Sequence, residues 1–298
     1  MAIFKKKTTL VHHIAYMGLM TAINIIFVVL ASFLSSMMVL LILLLPFSSA
    51  IVSYFCKKRF YIIYAVASIG ICLLIDPVNT IFYVVPAIIS GFVIGVLLDN
   101  NVHPFWLVLC SSIINTSFSL AFIPLINLLG GFDDIVSTIL KAIKLDGFTY
   151  KLELVFLFVY FLSLLQCALT HFILVIDAKK IGIEVKEVIN NCAPLIVGLE
   201  LFIILSLAFS FFFTPLAFVF LAISIYFSTF VFMDLLMSKK IIVYVLLFIL
   251  LLGSLILFAV FYQRISAPLG LMLVLLFPMS IGITSFIKNY LLKSPSNI

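Results

Sequence analysis

Apolar runs long enough to cross a lipid bilayer as α-helices recur along this chain, each closed by a short polar or basic turn. One such crossing takes about 20 residues. The runs predict spans near residues 13–34, 37–56, 60–76, 80–98, 104–129, 152–176, 190–212, 216–236, 241–262 and 267–287. Ser35 and Ser36 make the joint between the first two very tight.

Of 298 residues, 66% are hydrophobic and 9% are charged, against about 25% charged in a soluble domain. A water-soluble core of this size cannot hide so much apolar surface, so lipid must solvate most of it. The predicted fold class is all-α, a polytopic transmembrane bundle of about ten helices. The first run is too long for a cleavable signal peptide and reads as a signal anchor.

The formal charge is +6, but the basic residues fall in small clusters between apolar runs and form no domain able to hold a duplex. Nucleic acid is therefore not an expected partner. With the N-terminus inside, the inner segments collect thirteen of the 17 basic residues: Lys5, Lys6, Lys7, Lys57, Lys58, Arg59, Lys179, Lys180, Lys186, Lys239, Lys240, Lys288 and Lys293. The outer segments hold the other four, Lys141, Lys144, Lys151 and Arg264. The positive-inside rule favours that orientation, with both termini cytoplasmic. Adding or dropping one span would spoil the asymmetry.

One outer segment, residues 130–151, is long. Ile135, Ile139, Leu140 and Ile143 recur there at helical spacing, as in a surface helix or a lid. The inner segment 177–187 is short, leaving no room for a soluble catalytic domain. Cys56, Cys72, Cys110, Cys167 and Cys192 show no CxxC and no His at metal spacing, and read as small buried hydrophobes. No metal or cofactor is expected. No P-loop, GxSxG, HExxH or dinucleotide fingerprint occurs, and no enzymatic activity is expected.

Small residues form ladders. Ala15, Gly18 and Ala22 share a face of the first span; Ala87, Gly91 and Gly95 repeat every four residues in the fourth. Such ridges let another helix approach closely, inside the chain or on a partner. Glu200 is the one deep carboxylate; it can bind a proton or a cation, or hydrogen-bond a neighbouring helix as a neutral acid. Asn24 in the first span, and Asn115 with Ser112 and Thr116 in the fifth, face either a neighbouring helix or a ligand cavity. His171 and Asp234 fall near cytoplasmic ends and read as interfacial anchors. Asp76, Asn79, Asn127, Lys151 and Glu153 would ring a cavity opening outward, or serve as ordinary loop polarity. Pro46, Pro86, Pro124 and Pro278 are expected to kink or break helices.

The stretch IAYMGLMTAINIIF (residues 14–27) resembles the first helix of the substrate-binding S components of energy-coupling-factor (ECF) vitamin transporters, with Gly18 and Ala22 at the paired small positions. LILLLPFSSAIVSYFCKK (41–58), IISGFVIGVLLDN (88–100) and DAKKIGIEV (177–185) are similar to segments of the YybS-like membrane proteins of low-GC Gram-positive bacteria, which join an S-component-like front to extra helices. The chain departs from that pattern in carrying Lys179 and Lys180 where an Arg-bearing turn is usual.

The resemblance implies a six-helix front domain (1–176) that captures a small molecule such as a vitamin, and a four-helix region (177–298). The substrate-binding candidates are Asn24, Asp76, Asn79, Asn115 and Glu153. It further implies docking of Ala15, Gly18 and Ala22 onto a membrane T component that works with ATPase subunits, in a bacterial plasma membrane. The competing expectations are a non-transporting scaffold or assembly factor and, behind it, a membrane-embedded enzyme.

Overall fold

The computed structural model describes residues 9–33, 43–130, 151–183, 193–238, 240–261 and 273–291. The expected surface helix or lid lies outside these residues. Ten helices account for nearly all of them, and no strand occurs among the described residues. They are α1 (Leu10–Phe33), α2 (Leu45–Phe55), α3 (Lys58–Ile75), α4 (Pro77–Asp99), α5 (Pro104–Gly130), α6 (Lys151–Ile176), α7 (Ala193–Phe212), α8 (Thr214–Leu236), α9 (Ile241–Phe261) and α10 (Leu276–Phe286). Eight are long and apolar enough to cross a membrane. The exceptions are α2, with 11 residues, and the stretch around α10; residues 37–42 of the span expected over 37–56 lie outside the described residues. At about 1.5 Å per residue, α2 covers only some 16 Å, about half a hydrocarbon core.

The chain divides into two compact units, one of Met1–Ile139 with Phe158–Val188, the other of Leu140–Leu157 with Ile189–Ile298. In the first unit α2 is the buried centre: ten of its 11 residues, Ser48, Ser49 and Ser53 included, are shielded. A helix enclosed on all sides needs small residues where its neighbours press closest. Gly91 and Gly95 of α4 supply them, and they pack inside the chain. A methyl group on Gly91 would stand 2.6 Å from the Pro46 carbonyl oxygen, and one on Gly95 2.6 Å from that of Ala50.

Several contacts set the helix directions in this unit. The His13 ring lies 5.4 Å from that of Phe60, while Ser32 Oγ donates to Asp76 Oδ2 at 3.4 Å, so α1 and α3 run parallel. Asn115 Nδ2 donates to Gln166 Oε1 at 2.7 Å, joining α5 to α6. Lys57, Lys58 and Arg59 consequently lie at one end of the α1–α3 pair, and Asp76 and Asn79 at the other.

Proline and glycine act where their backbone chemistry requires. Pro86 cannot accept its place in a regular ladder, because its ring meets the carbonyl four residues back. The turn before it, Thr80–Val84, widens to π-helical spacing. Pro46 stands in the first turn of α2, where an N–H is dispensable. Gly182 ends the single turn Ala178–Ile181 with φ 87°, a left-handed conformation that glycine enters without strain.

In the second unit α8 is enclosed by α7, α9 and α10. Ser206 Oγ of α7 donates to the Ala217 carbonyl at 2.9 Å, and the Phe227 ring lies over Gly198. Leu235, Val243 and Leu247 form a buried cluster with Phe232, Leu251 and Ile281 packed against it. Asp234, near the end of α8, is paired with Lys288 at 2.6 Å. Outward surfaces are apolar: on α9, Ile241, Val245, Phe248, Ile249, Leu252 and Ile256 are all exposed. That inversion of the soluble pattern marks faces solvated by lipid tails.

Candidate functional site

The first unit gathers its polar side chains in two places. At the first, Asn24 of α1 donates through Nδ2 to Tyr64 Oη at 2.8 Å, and Ser48 donates to Asn24 Oδ1. Ser49 Oγ lies 3.0 Å from the same Tyr64 hydroxyl, and Thr21 bonds Ser68 at 3.1 Å. Tyr61 closes the set by donating to the Ile88 carbonyl at 2.6 Å. All of these side chains are buried. In lipid each would cost free energy alone, so mutual satisfaction is what allows a polar core there.

Above this network, toward the Asp76 end, Phe27, Val28, Ala31, Leu45, Asn79, Tyr83 and Val84 line a cavity of about 10 Å³, room for one water molecule. Asp76 caps the next turn, accepting from the Asn79 backbone N–H at 3.0 Å and from Asn79 Nδ2 at 2.7 Å. Asp76 and Asn79 thus lie together at one end of this helix group, and Asn24 lies in the buried network below them.

The second polar place joins α4, α5 and α6. Asn115 meets Gln166 there, Tyr160 hydrogen-bonds Ser112, and the Cys167 thiol lies against Ser111 and Ser90. Asn115 Oδ1, Thr170 Oγ1 and both His171 ring nitrogens are buried without a partner among the described residues. His171 therefore departs from the interfacial role expected of it: Cys167, Ala168, Thr170 and Leu174 are equally buried, so α6 is enclosed at that level. His13 is likewise sealed in, with both ring nitrogens unpartnered.

Glu153 belongs to the second unit. It is half-buried in the first turn of α6, where its charge complements the exposed N–H groups of the helix start. The side chains of Asn127 and Lys151 lie outside the described residues.

The two faces of α1 differ in kind. Thr21 and Asn24 point into the polar core, while Ala15, Gly18 and Ala22 are exposed, with no atom within 4 Å of where a Gly18 side chain would begin. Glu200 lies in the other unit, on the outward side of α7. It has no hydrogen-bond or ion-pair partner among the described residues and borders a groove of about 260 Å³ with Ile203, Ile204, Met279, Gly282 and Ile283.

Sequence reasoning missed Tyr64, Ser48 and Gln166. Buried amide and hydroxyl groups in membrane helices require partners, yet only the fold selects which ones, 16 to 51 residues away for these contacts.

Stacked apolar helices with lipid-solvated outer faces and internally satisfied polar groups define a multi-pass membrane protein. No protein-family model, curated protein or solved structure matches the chain.

Proposed function

We propose that this protein is a transport-related substrate-binding component of the YybS-like group, related to ECF S components and seated in a bacterial plasma membrane with both termini cytoplasmic. One observation carries this reading: α1 turns polar side chains inward and a bare ridge of small residues outward. A flat ridge in lipid is a surface on which another helix gains close van der Waals contact. The ridge Ala15, Gly18 and Ala22 docks a membrane T component, whose ATPase partners hydrolyse ATP. Asn24, Asp76, Asn79 and Asn115 of the first unit contribute to a site for a small molecule such as a vitamin.

The water-sized cavity favours a second reading, a scaffold or assembly factor with no cargo. Ligand sites of drug-sized molecules occupy about 300–1,000 Å³, so substrate entry requires the helices around Asn24 and Asn79 to part. Gentle purification followed by mass spectrometry decides between them. A co-purifying metabolite together with ATPase subunits supports transport. Division or wall-synthesis proteins without a metabolite support the scaffold. Gly18→Leu with Ala22→Leu should abolish partner retention in either case; full retention overturns the docking role.

A further inference from the structure

We propose that the groove between α7 and α10 binds a lipophilic monovalent cation, an amine or quaternary ammonium carrying an apolar body, with Glu200 as its counter-ion. Glu200 is seven residues into α7, which places its Cα about 10 Å along the helix. A glutamate side chain is too short to reach the interface from that depth as lysine and arginine do. Its carboxyl group therefore sits beside hydrocarbon, and no described residue offers it a donor or a cation.

The surrounding chemistry selects the occupant. Ile203, Ile204, Met279 and Ile283 wall the groove with apolar groups, and Gly282 lines it on the α10 side. Ile204, Met279 and Ile283 are exposed, so the groove communicates with the surface rather than closing into the core. A single carboxylate gives a bare metal ion two oxygens, where calcium takes 6–8. An uncharged hydrocarbon would leave the carboxylate unmatched. A cation with an apolar body satisfies both, since charge attraction strengthens as the dielectric falls and the walls shield the body. This site stands whether or not the front helices take part in transport.

The test uses the full chain purified in dodecyl maltoside, titrated with benzyltrimethylammonium and with its uncharged carbon isostere, neopentylbenzene, by ligand-observed NMR. Saturable binding of the cation is expected, at least tenfold tighter than that of the isostere. Glu200→Gln should weaken cation binding at least tenfold, and Glu200→Asp only a few-fold. Ile283→Trp fills the groove from an exposed position and should also weaken it tenfold while leaving the carboxylate in place. The proposal is overturned if the unmodified chain shows no saturable cation binding, if the isostere binds as well, or if Glu200→Gln binds like the unmodified chain.

Discussion

Asn24 and Tyr64 are joined by a 2.8 Å hydrogen bond between α1 and α3, and neither has access to solvent. Because Tyr64 Oη also meets Ser48 and Ser49 of α2, one phenol links three helices. Tyr64→Phe removes that hub and leaves the Asn24 amide without its acceptor. Unsatisfied buried groups cost about 1–3 kcal/mol, so the melting temperature in detergent should fall by several degrees. Asn24→Leu combined with Tyr64→Phe should be less harmful than the sum of the two single changes, because the double variant strands fewer polar groups.

The two glycine ladders should respond in opposite ways. At Gly91 a methyl group would stand 2.4 Å from Ser49 Cβ, whereas at Gly18 nothing lies within 4 Å. Gly91→Ala is expected to cost about 1–3 kcal/mol through overpacking, and Gly18→Ala to leave thermal stability unchanged or raised. Equal melting temperatures for the two variants would contradict the packing described here.

Lys288 Nζ contacts both Asp234 Oδ2 at 2.6 Å and the Asp234 carbonyl at 3.1 Å, tying the ends of α8 and α10. The pair is partly buried, and its loss in Asp234→Ala should cost about 1–3 kcal/mol. A double-mutant cycle with Lys288→Met checks it. Additive single losses would show that the pair contributes nothing of its own.

Lys180 behaves differently. The hydrogen bond from Lys180 to Asp177, and then the charge of Asp177, hold the lysine above its ordinary value, but the lysine is fully open to solvent. A raised folded value places any stabilisation below the lysine range of the unfolded chain and removes it as pH climbs through the folded value. Asp177→Asn should lower the NMR titration midpoint of Lys180 and leave the melting temperature unchanged.

What was legible beforehand follows from the range of each interaction. Helix positions and the Ala87–Gly91–Gly95 ridge could be read because hydropathy and four-residue spacing are local. The pairing of Asn115 with Gln166 and the convergence on Tyr64 could not, since each joins helices far apart in the chain. Position along a helix also misplaced His171. Depth along the axis was readable, but enclosure depends on neighbours, and α6 at Cys167–His171 is surrounded.

The central claim is a chain embedded in lipid with its basic turns on one side, and cysteine accessibility tests it most directly. In a background with the native cysteines replaced by serine, Lys57→Cys, Lys180→Cys and Asn79→Cys would be probed with a membrane-impermeant maleimide in intact cells and in inverted vesicles. Residues 57 and 180 should react only in inverted vesicles, and residue 79 only in intact cells. Labelling of 57 and 180 from opposite sides would contradict the placement of the basic turns on one side, and with it the orientation on which the proposed transport role depends.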